Sequence, residues 1–328
     1  MKEKAITSAS GADREYEIIT HNEGNFKVFL VNLLYRTPHA HQDFEIDMIL
    51  SGEVSLNLPG DKSYTLRRGD IFVLNPYQSH ELSASNPTTI LSLQIPPSFF
   101  SPYYPGIHSL EFTKPILTLD ENKKLCSTIC RILIKIANIY FDEKEYGILQ
   151  CAALINGLFY TLFSKLPTKV FSEAENLDNR LRWQRMRRIV SYIEDHFSEK
   201  ILLSDIADEE NLDLYYLSHL FTESFGIPFQ KYIAKLRCEH ARSLLLMTDR
   251  SLLDISISLG FSDPKYFNKN FKDLYGCTPK EYRVRFSSLD LSMQQISMLT
   301  TQEFMSKEAS KVFLSREAPI LLKYFSNN

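Results

Sequence analysis

The chain is poor in the features that mark several functional classes. Its longest apolar run, Leu149 to Phe163, is broken by Gln150, Asn156 and Gly157. That run is too short and too polar for a bilayer span, and it predicts a buried helix. Residues 1–20 are polar and charged and lack the apolar core of a secretory signal, so the expected location is the cytoplasm. The five cysteines (Cys126, Cys130, Cys151, Cys238, Cys277) are odd in number and contain no CxxC pair. This excludes a disulfide framework and a zinc ribbon and predicts reduced thiols buried in helices. Positive charge is not in excess: 37 Lys and Arg face 40 Asp and Glu, for a net charge of -3. Any nucleic-acid face must therefore come from local charge placement.

What is present is an ordinary globular composition, 44% hydrophobic and 23% charged, on a chain of 328 residues, long enough for two domains. From Phe26 to Ile95, short apolar or alternating runs (Phe26–Tyr35, Glu45–Leu50, Val54–Leu58, Asp70–Leu74) are separated by Pro38, Ser51-Gly52, Pro59-Gly60-Asp61, Arg68-Gly69-Asp70 and Asn75-Pro76. Many short strands at this spacing predict a β-barrel or sandwich. From Asp120 the period becomes helical, with Leu125, Ile129, Ile132 or Leu133, Ile136, and Ile139 or Tyr140 on one stripe, and a second helix follows from about Glu145 to Phe163. The expected fold class is α+β multidomain. Residues 1–119 form a barrel, 120–166 a helical segment, 167–182 a polar linker, 183–286 an all-α domain and 287–328 a tail with helical stretches at Leu291–Met298 and Phe313–Phe325.

The all-α domain contains an internal repeat. Asp205-Ile-Ala-Asp-Glu-Glu-Asn-Leu212 leads into Tyr215–Phe221, and Asp254-Ile-Ser-Ile-Ser-Leu-Gly-Phe261 leads into Lys265–Phe271. Each half reads as a short helix, a tight turn and a second helix. Two helices that cross steeply need a small residue at the crossing, which Ala207 and Ser256 supply. The turns need a left-handed residue, supplied by Asn211 and Gly260. Asp213 and Asp263 are good caps for the second helices, Pro264 suits a first helical position, and Ser251–Asp254 is a capping-box variant. Leu217, Leu220, Phe221, Phe267 and Phe271 are expected to face the core. Between the halves, Pro228 to Met247 forms one amphipathic helix about 30 Å long. Successive major grooves on one face of DNA repeat at about 34 Å, so this rod can hold two reading helices in adjacent grooves.

This segment resembles the DNA-binding domain of the AraC/XylS family of bacterial regulators. The likeness rests on Ala241-Arg242-Ser-Leu-Leu-Leu246, Ile255, Gly260-Phe261-Ser-Asp-Pro-Lys-Tyr-Phe267, Phe271-Lys272 and Gly276-Cys-Thr-Pro-Lys-Glu-Tyr-Arg283. It implies groove-facing positions at Tyr215, Ser218 and His219 in the first unit and Lys265, Asn268 and Lys269 in the second. Lys donates to guanine, Asn pairs with adenine, and Tyr contacts a thymine methyl. Lys272, Lys280 and Arg283 are expected at phosphates. The two halves differ in charge. Residues 183–227 carry 4 Lys and Arg against 9 Asp and Glu, and residues 228–286 carry 11 against 6. The second unit is therefore expected to anchor DNA and the first to tune binding.

In the barrel, His39-Ala-His41, Glu45, Gly52 and His80 resemble the first half of the cupin motif. The second half departs from it: Gln78 lies where a glycine is usual, and Ala84 where an asparagine is. Such His and Glu residues on neighbouring strands can converge on manganese, iron, zinc or nickel. Three readings stay open: a metal-dependent enzyme, a metal site for sensing or structure, and a metal-free pocket. The family resemblance implies the last, with no enzyme activity and no cofactor. In it, His39, His41, Glu45 and His80 bind a small-molecule effector such as a sugar, and Phe44, Phe72 and Tyr77 offer apolar surface. It also implies a homodimer through the 120–166 helices and activation of transcription, which makes RNA polymerase a partner beside double-stranded DNA. Control by a protein partner in place of a small molecule is the alternative.

Overall fold

The computed structural model describes residues 26–60, 62–287 and 302–326. The described part opens with six strands: β1 (Lys27–His39), β2 (Phe44–Ser51), β3 (Glu53–Leu58), β4 (Lys62–Arg67), β5 (Ile71–Leu74) and β6 (His80–Ile95). Strands β7 (Leu110–Phe112) and β8 (Ile116–Leu117) lead into helices α1 (Leu119–Asp142) and α2 (Gly147–Lys165). The long strand β6 organises the sheet: its first half pairs with the end of β1 and with β3, and its second half pairs with β1 and β2, all antiparallel. The result is a curled antiparallel sheet. It is the expected cupin-like barrel in form, but among the described residues its hydrogen-bonded path does not close.

Strand alternation makes two cores. Phe29, Val31, Leu33, Ile49, Phe72, Leu74 and Ile90 fill the interior of the curl. Val28, Leu30, Phe44, Ile46, Met48 and Leu50 face the other way and pack against α1 and α2. Helix α2 is longer than its apolar run suggested, and by length and composition it is able to cross a membrane. Its Cys151, Ile155, Leu158, Phe159 and Leu162 are instead buried in this second core.

The expected linker is not one. Residues 168–170 form strand β9 (Thr168–Val170), paired with β7, and Ser172 then opens helix α3 (Glu173–His196) with a capping box to Glu175. The polar composition of 167–182 reflects an exposed helical surface. The all-α segment continues with α4 (Leu203–Glu209), α5 (Leu214–Phe225), α6 (Phe229–Met247), α7 (Leu252–Ser258), α8 (Pro264–Tyr275) and α9 (Pro279–Ser287). The tail returns to the sheet: β10 (Gln302–Phe304) pairs with β1, and helix α10 (Lys307–Ser326) buries Leu314, Leu321 and Phe325 in the core beneath α1. Arg68 and Glu317 form an ion pair at 2.9 Å. The expected stretch Phe313–Phe325 thus lies in α10, while Leu291–Met298 lies outside the described residues.

Candidate functional site

The helical domain is two small cores on one rod. Met186, Ile189, Ile206, Leu217, Phe221, Tyr232 and Leu236 form the first, with α3 to α5 packed on the first half of α6. Cys238, Ala241, Leu245, Ile255, Phe267 and Phe271 form the second, with α7 to α9 packed on its later half. Burial of each large apolar side chain contributes roughly 2–3 kcal/mol. The small residues at the helix crossings, Ala207 and Ser256, are buried. Asn211 has φ 53° and Gly260 has φ 75°, as the turns require. A Cβ at Gly260 would also lie 2.3 Å from the Ser198 carbonyl oxygen. Asp213 accepts from the Tyr216 N–H, Asp263 from the Lys265 N–H and Ser251 from the Asp254 N–H, so all three caps form as read.

On α5, Leu217, Leu220 and Phe221 are buried, and Tyr215, Ser218 and His219 are exposed. On α8, Phe267 and Phe271 are buried, and Lys265, Lys269 and Lys272 are exposed, as is Lys280 on α9. Two expectations need correction. Asn268 is only part-exposed, and its amide donates to the Pro264 carbonyl at 2.9 Å, one helical turn back. Arg283 is turned inward: Nε donates to the Leu245 carbonyl and Nη2 to the Arg250 carbonyl at 2.7 Å. It ties α9 to the end of α6 and is not set out for a phosphate.

Inside the curl, His41, Glu45 and His80 bring three ligand-type atoms within 4.8 Å of one another, all buried. His39 opposes His80 in the β1–β6 register, their rings 4.0 Å apart. Each imidazole is oriented in the same way. Nδ1 of His39 lies 2.9 Å from the Thr37 carbonyl, that of His41 3.0 Å from Asp43, and that of His80 3.0 Å from Gln78. A carbonyl only accepts, so each Nδ1 carries the hydrogen. His41 Nε2 forms an ion pair with Glu45, and His80 Nε2 lies 4.0 Å from the same oxygen. Burial opposes ionisation of Glu45, but His41 and then His80 outweigh it and hold its pKa at about 2. Burial lowers His80 to about 4, against the pull of Glu45, and holds His39 well below its usual range with help from His80 and Arg36. The set of imidazole Nε2 atoms around one carboxylate fits a borderline divalent cation, the neighbouring carbonyls fixing each ring as a ligand would need.

The aromatic expectations divide. Phe72 packs in the interior core. Phe44 does not face the histidines: it stands on the outer face of β2 against Phe112 and Phe159, because its neighbour Glu45 takes the inner face. Tyr77 is outside the curl as well. It adopts φ 66°, donates its N–H to the His41 carbonyl at 2.6 Å, and stacks on Trp183 of α3 with ring centroids 5.9 Å apart. The cavity beside His39, Glu45 and His80 measures about 30 Å³. That is room for a water or an ion and too little for a sugar.

Sequence reading missed the residues that join the two domains. Glu81 accepts from the Tyr35 hydroxyl at 2.7 Å and from Asn57 at 3.2 Å, and it forms an ion pair with Lys235 of α6. Tyr275, the last residue of α8, meets Tyr35 with centroids 6.0 Å apart. One signal pointed to Glu81: it follows His80 on a strand, so it must face the opposite side.

Residues 32–143 match the AraC-like ligand binding domain, and residues 206–285 match a helix-turn-helix domain, together more than half of the chain. The lactose operon transcription activator of Staphylococcus xylosus is 26% identical over 87% of this chain and 95% of its own length. An uncharacterized HTH-type transcriptional regulator of Staphylococcus aureus is 26% identical over 66% of this chain, which spans 28% of that relative's length. The solved C-terminal domain of the two-component response regulator yesN from Fusobacterium nucleatum is 38% identical over 30% of this chain and 98% of its own, with TM-score 0.29. The chain belongs to the AraC family of DNA-binding transcription regulators, with a ligand-binding domain ahead of its two helix-turn-helix units.

Proposed function

We propose that the protein is a sequence-specific, effector-responsive activator that reads two successive major grooves through α5 and α8. The observation that carries this reading is the single rod α6, 19 residues long, which is shared by both helix-turn-helix cores. At 1.5 Å per residue it spans about 28 Å, close to one groove repeat. Activation and a sugar-type effector are favoured by the S. xylosus lactose operon activator, matched over nearly its full length. An activator's further partner is RNA polymerase. The protein acts in the cytoplasm, without enzyme activity. Genome-wide mapping of bound sites tests the reading: discrete sites upstream of a small set of genes support it, and uniform non-specific occupancy overturns it.

Homodimerisation goes with this reading. The exposed side of α2 carries Leu149, Ala153, Gly157 and Tyr160 in helical register, with Leu149 68% and Tyr160 75% exposed. A Cβ at Gly157 would meet nothing within 4 Å, so a second backbone can approach closely there.

A second reading of the barrel cluster is favoured by its three oriented imidazoles. His41, Glu45 and His80, with His39 beside them, would hold a divalent cation between them. Metal analysis of protein purified without a His tag separates the two: a stoichiometric ion supports this reading, and its absence supports the cofactor-free cluster.

A further inference from the structure

We propose that the organic effector binds outside the barrel, in the cavity at the junction of the sheet with α3 and α5, and that it is a neutral polyhydroxylated ring compound of the sugar class. This rests on the effector-responsive reading above and gives it a place and a chemistry.

The first argument is space. The interior cavity beside the histidines holds about 30 Å³, whereas the junction cavity holds about 580 Å³. Small-molecule sites are typically some 300–1,000 Å³. The second volume suits an organic ligand of that kind and the first does not; a neighbouring cavity of about 320 Å³ is lined by Lys62, Lys231 and Lys235 and is less suited to a neutral ligand.

The second argument is the wall. Tyr77, Trp183 and Phe171 contribute ring surface, and Gln42, Gln78, Ser79 and Glu111 contribute hydrogen-bonding groups. Flat apolar faces beside amide, hydroxyl and carboxyl groups match a ring with C–H faces and a hydroxyl rim. Among the described residues no lysine or arginine lines the cavity, which disfavours phosphates and carboxylates. Nor is a cation strongly drawn in. Glu223 is held by Arg182 at 2.5 Å, and burial pushes Glu111 toward its neutral form, against the pull of Lys169.

The third argument is an unsatisfied group. Ser79 is 3% exposed and lines the cavity, and its buried hydroxyl has no hydrogen-bond partner among the described residues. A buried hydroxyl without a partner costs about 1–3 kcal/mol, which a ligand hydroxyl would recover.

The placement explains how occupancy reaches DNA. One wall is the barrel loop Tyr77–Ser79, and another is Glu223 and Ser224, near the end of the first reading helix. A ligand touching both binds one arrangement of the domains better than others, and shifts their balance by that difference.

Trp183 is the only tryptophan in the chain, so its fluorescence reports this site directly. The test titrates the full chain with glucose, galactose, lactose and maltose, with glucose 6-phosphate as the charged control. Equilibrium dialysis serves as a second readout. The expected result is saturable binding of at least one neutral sugar and none of the phosphate. Ser79→Ala is expected to weaken binding about tenfold without lowering thermal stability, because no internal hydrogen bond is lost. Ser98→Phe, on the exposed rim, is expected to block binding by filling space. No binding by any neutral sugar at millimolar concentration overturns the ligand class. Binding that survives both variants and is abolished by His80→Ala overturns the location. DNA affinity measured with and without the sugar separates the two claims. A sugar that binds here without altering DNA affinity leaves the site standing and removes the gating. A sugar that alters DNA affinity equally in both junction variants does the reverse.

Discussion

His80 and Glu81 are consecutive on β6 and serve opposite sides of the sheet. His80 lies buried against the Glu45 carboxylate, 4.0 Å away, and Glu81 binds Lys235 on the helix that connects the two DNA-reading units. Any shift of the strand at one residue is passed to the other through a single peptide unit. A parallel link runs from the carbonyl of His41 to the Tyr77 N–H, and from the Tyr77 ring to Trp183. The buried cluster and the DNA-binding domain are thus joined at two points.

The Glu81–Lys235 pair is largely buried, with side chains 12% and 16% exposed. Removing one partner leaves the other charge desolvated, whereas removing both does not. Lys235→Met is expected to cost about 2 kcal/mol in chemical denaturation, and the double variant Glu81→Gln, Lys235→Met clearly less. Both are expected to make DNA affinity independent of effector, because the docked arrangement is lost. Retained effector dependence in the double variant would show that the pair is not part of the coupling.

The two reading helices are expected to contribute unequally. Lys265, Lys269 and Lys272 stand exposed on α8, while α5 presents Tyr215, Ser218 and His219 beneath an acidic α4. Lys269→Ala is expected to weaken operator binding by about 1–3 kcal/mol and to flatten its salt dependence. His219→Ala is expected to do less. Equal losses, measured by titration at several salt concentrations, would remove the asymmetry.

Gly260 is a folding requirement of the second unit. A side chain there meets both φ 75° and the Ser198 carbonyl. Gly260→Ala is expected to cost at least about 3 kcal/mol and to abolish binding by α8. Asn211→Gly, at the matching turn of the first unit, is expected to be neutral or slightly stabilising, since its φ is already 53°. Circular-dichroism melts compare the two.

Acid should loosen the barrel. His39 and His80 are held neutral by burial, their pKa values below the ordinary 6.5 and, for His80, about 4. Below pH 6.5 the unfolded chain binds more protons than the folded one, so stability falls as pH drops from 6.5 through about 4. For His80 alone the loss is on the order of 3 kcal/mol. Glu45 works in a lower window: its stabilisation is complete above 4.5 and is lost only toward about 2. Melts from pH 7.5 to 4.5 are expected to show the decline, and His80→Gln to shrink it. An unchanged pH profile in His80→Gln would assign the decline to other groups.

The exposed face of α2 is expected to hold a second copy. Tyr160→Asp, on an exposed position, should yield a monomer by light scattering without a change in melting temperature. A wild-type monomer with and without DNA would contradict it.

How much of this was legible depended on range. Caps, turns and small crossing residues act over three to five positions, so Asp213, Ser251, Asn211 and Ala207 were readable from neighbours alone. The inner cluster was readable because the His-x-His-x-x-x-Glu spacing carries the chain from the end of one strand to the inner face of the next, where the residues converge. Phe44 was misread for want of strand alternation, since a residue beside Glu45 cannot share its face. The junction residues Tyr35, Glu81, Lys235 and Trp183 lie far apart in the chain, Glu81 and Lys235 being 154 positions apart. No local pattern announces a contact of that range. Arg283 was misjudged for a similar reason, because its carbonyl partners lie 33 and 38 residues back.

The most direct measurement is a hydroxyl-radical footprint of the full chain on a site selected from a random DNA pool. The expected protection for one protomer covers two major-groove segments on one face, about 10 base pairs apart centre to centre. Lys269→Ala should weaken the segment read by α8 first. Protection of a single groove, unchanged by substitutions in either α5 or α8, would contradict a reader built from two units on one rod.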